Sequence, residues 1–137
     1  MNWPIPPLEG PLNTKVLILE PDVLQRDLMV LALKRHQLDP LACSDPQEAL
    51  TLIEAQRPGL LIINLLLRGQ NGIDFLNELK NKDLLENMKI LVVSPLGFLD
   101  IVIKASRAGA SAFLIKPVDP DQLAEKALSL LGTAENR

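Results

Sequence analysis

The chain has 137 residues, is 47% hydrophobic and only 3% aromatic, and carries a net charge of -3 with a pI near 5.1. This size suits one domain with a sizeable core and leaves no room for a second, output domain. An acidic chain poor in rings has no basic face for nucleic acid, no apolar run approaches the roughly 18 residues of a membrane span, and no signal-like segment opens it, so a soluble, cytoplasmic protein is expected.

Residues 1–14 hold prolines at 4, 6, 7 and 11 and show no helix or strand period, so they are read as an extended arm made sticky by Trp3, Ile5 and Leu8. The run Lys-Val-Leu-Ile-Leu at 15–19 is a buried strand that delivers Glu20, Pro21 and Asp22 to its carboxyl end. A helix follows to about His36, with Asp22 and Gln25 spaced as a capping box and Leu24, Leu28, Leu31 and Ala32 as the expected core stripe. Asp22 can therefore act as a cap or as a metal ligand. His36, in Lys-Arg-His, is read as an ordinary cation near a helix end.

A short strand over 40–43 ends at Cys43, a lone cysteine that cannot form an internal disulfide and is read as a buried strand residue. Asp45-Pro46-Gln47-Glu48 then starts a helix with a cap, a proline in the first turn and an acid at its third position, stopping before Pro58. Residues 60–63 are too apolar and too few for a half-exposed helix and read as a buried parallel strand ending at Asn64, before the turn signal Asn71-Gly72. A helix over 73–81 buries Ile73, Leu76 and Leu79 or Phe75, and a strand over 89–93 ends at Ser94. From 96 to 103 six of eight residues are apolar, more than one buried helical stripe uses, so some are expected to be left exposed. A fifth strand over 112–115 ends at Lys116-Pro117. The last helix carries Leu123, Ala127, Leu130 and Leu131 on one face and closes at Gly132.

Five strands alternating with five helices imply an α/β fold with a parallel sheet and helices on both faces. Strand ends then bring Glu20, Asn64, Ser94 and Lys116 to one edge, where such sheets place their crevices. The pieces Val-Leu-Ile-Leu-Glu-Pro-Asp, Pro-Gly-Leu-Leu-Ile-Ile-Asn-Leu-Leu-Leu, Ile-Leu-Val-Val-Ser and Ala-Gly-Ala-Ser-Ala-Phe-Leu-Ile-Lys-Pro stand in this order, and over 15–131 the chain resembles the receiver domain of two-component response regulators. The resemblance implies a flavodoxin-like sheet of order 2-1-3-4-5, with residues 132–137 a tail. It implies a phosphoacceptor aspartate on the third strand, paired acids holding Mg²⁺ after the first, a hydroxyl after the fourth and a lysine after the fifth. Asn64 stands at the acceptor position and Pro21 at one of the acids; Glu20, Ser94 and Lys116 match. Phe113 falls where an aromatic ring moves on activation, and Lys116-Pro117 where the family has a cis peptide.

A carboxamide is neutral, its nitrogen lone pair delocalised, and cannot attack phosphorus as a carboxylate does. With Glu20 the one certain carboxylate, Mg²⁺ binding is expected to be weak or absent, and no other cofactor is implied. Lys116 then takes Glu20 or the Asn64 side-chain oxygen as its partner. The leading expectation is a non-enzymatic, degenerate receiver acting by phosphorylation-independent contact with a signalling protein or a second copy. The apolar surplus at Phe98, Leu99, Val102 and Ile103 is its candidate interface. Two alternatives stand beside it: a receiver phosphorylated on Asp22 or Asp74, and a small-ligand binder at the switch point of the sheet.

Overall fold

The computed structural model describes residues 13–132, so Trp3, Ile5 and Leu8 of the proline-rich arm and the tail after Gly132 lie outside the described residues. Its elements follow in order: β1 (Lys15–Leu19), α1 (Val23–Arg35), β2 (Asp39–Cys43), α2 (Pro46–Gln56), β3 (Leu60–Ile63), α3 (Gly72–Asn81), β4 (Lys89–Ser94), α4 (Leu99–Arg107), β5 (Ala112–Ile115) and α5 (Pro120–Gly132). All strand pairs are parallel, in the order β2-β1-β3-β4-β5. A parallel sheet is what the alternation of short apolar runs with helical segments predicts, and its strand order is the one the resemblance implies.

The apolar runs of β1, β3 and β4 are continuous because both faces of the sheet are covered. Leu17, Leu19, Leu61, Ile63, Ile90 and Val92 point into one core layer with Ala49, Ile53, Phe75, Leu76, Leu79 and Ala105 of α2, α3 and α4. Their neighbours Val16, Ile18, Leu60, Ile62, Leu91 and Val93 point into the other, with Met29, Ala32 and Leu33 of α1 and Leu123, Ala124, Ala127, Leu130 and Leu131 of α5. The two-residue period of a strand thus sorts side chains between two helix layers.

Local signals place most helix ends. Asp22 Oδ1 accepts the Gln25 N–H at 2.9 Å, Asp45 Oδ1 accepts the Glu48 N–H at 2.9 Å, and Asn71 Oδ1 accepts the Ile73 N–H at 2.7 Å. His36 caps the other end of α1, its Nδ1 2.9 Å from the Ala32 carbonyl oxygen. Cys43 is buried at the end of β2, where burial, helped by the Glu48 and Asp45 carboxylates, pushes its thiol up to about 12.

Two helices differ from expectation. In α1 only Ala32 of the expected stripe is buried; Leu24, Leu28 and Leu31 are exposed, and Met29 and Leu33 take their place against the sheet. Apolar residues recur on two sides of this helix, and periodicity cannot choose between two apolar sides. In α3 the inward set is Phe75, Leu76 and Leu79, with Ile73 half-buried. The surplus on α4 is real: Ala105 is the one buried residue of this helix, Phe98, Leu99 and Ile103 are exposed, and Val102 is half-buried.

The start of α3 is pressed onto the loop after β3. A Cβ at Gly72 would lie 2.6 Å from the Leu65 Cα, whereas one at Gly132 meets nothing within 4 Å. Gly72→Ala is therefore expected to lower stability by about 1–3 kcal/mol in urea unfolding, with Gly132→Ala within about 0.5 kcal/mol of the parent.

Candidate functional site

Glu20 and Asn64 each follow the last residue of a strand and continue its ladder. The Glu20 N–H donates to the Cys43 carbonyl and the Asn64 N–H to the Leu19 carbonyl, both at 3.1 Å. Since Leu19 and Ile63 face the α2–α4 layer, the alternation turns Glu20 and Asn64 to the side of α1 and α5. Lys116 follows β5, and since Leu114 packs on the α1–α5 layer the same alternation puts Lys116 on that side.

There the three side chains form one network. Lys116 Nζ lies 2.6 Å from Glu20 Oε1, with side-chain exposures of only 13% and 2%. Asn64 Nδ2 donates to Glu20 Oε1 at 3.3 Å and Oε2 at 3.2 Å, while Asn64 Oδ1 accepts the Leu66 N–H at 3.0 Å. This fixes the amide orientation, because a carboxylate only accepts and a backbone N–H only donates. Glu20 Oε2 also accepts the Asp22 N–H at 3.1 Å. Of the two partners open to Lys116 in the sequence, Glu20 is the one it takes.

Ser94 does not join them. It is fully buried, and its Oγ accepts the Leu96 N–H at 3.1 Å, closing the turn after β4. Asp22 lies at the rim with one oxygen engaged as the helix cap, and Asp74 is exposed on α3, outside the cleft beside the network. Phe113 is half-buried against the α2–α4 layer. Pro21 offers its carbonyl, and here sequence reasoning missed a residue: Arg26 Nη1 donates to the Glu20 carbonyl at 2.8 Å and to that of Pro21 at 3.4 Å. An arginine in the second turn of a helix carries no mark of such a contact in the sequence.

The cleft above the network has a volume of about 700 Å³. Leu28, Met29, Leu66, Val93, Pro117 and Leu123 give it apolar walls, with Asp22, Arg68 and Lys116 among its polar groups. Among the described residues no group of three or more His, Cys, Asp or Glu side chains converges as a metal site. None of the described helices is long and apolar enough to cross a membrane.

A family model described as the response regulator receiver domain matches residues 16–128. The chain belongs to this family. Among similar receivers and receiver-containing proteins is Sporulation initiation phosphotransferase F of Bacillus subtilis, 24% identical over 125 residues that make up 91% of this chain and 99% of that protein. Another is the Phosphate regulon transcriptional regulatory protein PhoB of Pseudomonas aeruginosa, 25% identical over 116 residues, 85% of this chain and 51% of that one. The chain thus spans nearly all of the first and about half of the second. Of solved structures, a CheY-like receiver domain protein from Methanospirillum hungatei superposes with a TM-score of 0.82 at 26% identity, covering 89% of this chain and 96% of that one. The receiver fold and a place in signal transduction are thereby established.

The buried ion pair gives a stability test. Lys116→Ala strands the Glu20 carboxylate and is expected to lower unfolding free energy by about 3–5 kcal/mol. Adding Glu20→Gln to that variant removes the uncompensated charge and is expected to return much of the loss in chemical denaturation.

Proposed function

We propose that this receiver works without a phosphoryl group, as a protein-recognition module whose strand-end site is permanently closed by hydrogen bonding. The observation that carries this reading is the Asn64 amide bonded to both oxygens of Glu20, where the resemblance to receivers calls for a nucleophilic carboxylate. An amide nitrogen donating to a neighbour has no electron pair to give to phosphorus.

The residues do not fit Mg²⁺ either. That ion demands near-octahedral hard oxygen donors. Glu20 already receives Lys116, Asn64 and the Asp22 N–H, Asn64 Oδ1 receives the Leu66 N–H, and the Pro21 carbonyl receives Arg26. Lys116 supplies the positive charge that Glu20 needs, so the site is neutralised from within the chain. Nothing favours the alternative acceptors, since Asp22 is a cap and Asp74 lies away from the cleft, and positioning supplies most of the catalysis in phosphoryl transfer. The reading is therefore a non-enzymatic, cytoplasmic module without a resident cofactor.

Recognition requires a surface, and exposed Phe98, Leu99 and Ile103, with half-buried Val102, offer one on α4 beside exposed Ile115 of β5. A partner signalling protein is assigned to this face. Phe98→Ser with Ile103→Ser is expected to abolish partner capture while leaving the thermal midpoint nearly unchanged; unchanged capture would remove the face from the proposal.

Intact mass after incubation with acetyl phosphate and Mg²⁺ tests the chemistry. The parent protein is expected to stay unmodified, as is Asn64→Asp alone, and the combination of Asn64→Asp with Pro21→Asp is expected to gain a phosphoryl group. An adduct on the parent would overturn the reading and direct attention to Asp22 and Asp74.

A further inference from the structure

Leu24 and Leu31 of α1 serve neither the core nor the cleft, and Leu28, one wall of that cleft, is still exposed. Leu24, Leu28 and Leu31 are 68%, 43% and 57% exposed and are spaced four and three residues apart, so they share one side of the helix. Arg35 extends the line by four more and donates to Asp121 of α5 at 2.8 Å. The three leucines thus form one exposed apolar patch along α1, whose last residue is tied to the start of α5 by that ion pair.

The 4-3-4 spacing is that of a coiled-coil seam, with leucines at d, a and d and Arg35 at a. In this register Asp27 and Lys34 both fall at g. Both are exposed, and neither side chain has a hydrogen bond or ion pair among the described residues. The opposite flank, at e, holds Gln25 and Ala32, which are turned toward the protein's own body: Ala32 is buried and Gln25 lines the cleft. Only the g flank is open to another helix. In a parallel pair g meets e of the other helix, whereas in an antiparallel pair g meets g. The antiparallel arrangement alone sets Asp27 across from Lys34, and two-fold symmetry makes that contact twice. It also brings the Asp22 cap of α1 toward the basic last turn of the other α1, with Lys34 and Arg35, and opposes the helix dipoles.

We propose that a second copy of this chain covers the patch, α1 packed antiparallel on α1. Leu28 of each copy lies opposite Leu31 of the other, and reciprocal Asp27–Lys34 pairs fix the direction. The inference is independent of the reading of the strand-end site. Since α4 packs on the other face of the sheet, dimerisation leaves its apolar surface free.

Sedimentation equilibrium of the full chain tests this. A reversible dimer is expected, with a dissociation constant in the micromolar range appropriate to a small patch. Asp27→Lys alone and Lys34→Asp alone are each expected to weaken it by about tenfold, replacing two symmetric attractions by two repulsions, and the combined swap is expected to restore it. Leu28→Ser with Leu31→Ser is expected to give a folded monomer, with circular dichroism confirming the fold. A chain that stays monomeric up to about 1 mM overturns the proposal. So does a dimer indifferent to the α1 substitutions, a dimer broken by Phe98→Ser with Ile103→Ser, or failure of the combined swap to restore what the single changes remove. A monomer whose leucine patch captures a helix of a different protein likewise overturns the second copy as its occupant.

Discussion

One buried carboxylate organises the carboxyl edge of the sheet. Glu20 is 1% exposed, and a charge so far from water persists only if its oxygens are filled by donors and its charge is met. Lys116 supplies the charge, and the Asn64 amide and the Asp22 N–H fill the remaining positions. The ends of β1, β3 and β5 are thereby tied to one another, although β1 and β3 are neighbours and β5 lies beyond β4 at the sheet edge. The same charge requirement makes Lys116 a structural residue here: removing it leaves an unpaired anion, whereas in an open site a lysine is free to follow an incoming group.

Strand alternation decided which side chains could enter this network. Glu20 and Asn64 share a register level, since Leu19 pairs with Ile63, and both point to the α1–α5 side. At the same level on β4 stands Val93, which the cleft uses as wall, and Ser94 is turned the other way. A sequence reading that collects strand ends finds Glu20, Asn64, Ser94 and Lys116 at one edge but does not sort them by face. Counting two residues at a time from the apolar runs would have done so, because those runs alternate without a bulge from Val16 to Leu19 and from Leu60 to Ile63.

The fold was legible because the buried strands are continuous runs and most helix starts carry Asp or Asn caps. These signals are local, so they survive without knowledge of the rest of the chain. What failed was tertiary. Leu24, Leu28 and Leu31 satisfy helical periodicity as well as Met29, Ala32 and Leu33 do, and only the position of α5 and the sheet tells which line is inside. The clamp of Arg26 on the Glu20 and Pro21 carbonyls was invisible for a similar reason, being a contact between a side chain and a backbone whose direction is set by the turn after β1. By contrast, the surplus on α4 could be inferred, since six apolar residues in eight exceed what one face of a helix can bury.

The proposed closure of the site from within has a consequence for signalling. A two-state protein changes its populations only when something binds the two states differently, and the largest such difference for a receiver is a new charged group at the strand ends. With the amide of Asn64 in place and Glu20 neutralised by Lys116, the proposed reading brings no new charge to that edge. The conformational preference is then set once, at folding, by the network itself. Control of such a module passes to mass action, through the concentration of the chain and of whatever occupies its surfaces, each bound species stabilising the folded form by an amount that grows with the logarithm of its concentration above Kd. The two apolar surfaces suit this regime, because they lie in different helix layers and one can be filled without occluding the other. Coupling between them would have to cross the sheet through fully buried side chains such as Ile62 and Ile63, which a close-packed core holds in one arrangement. On the proposed readings the two faces are far apart and share no contact, the condition under which their binding free energies are expected to add.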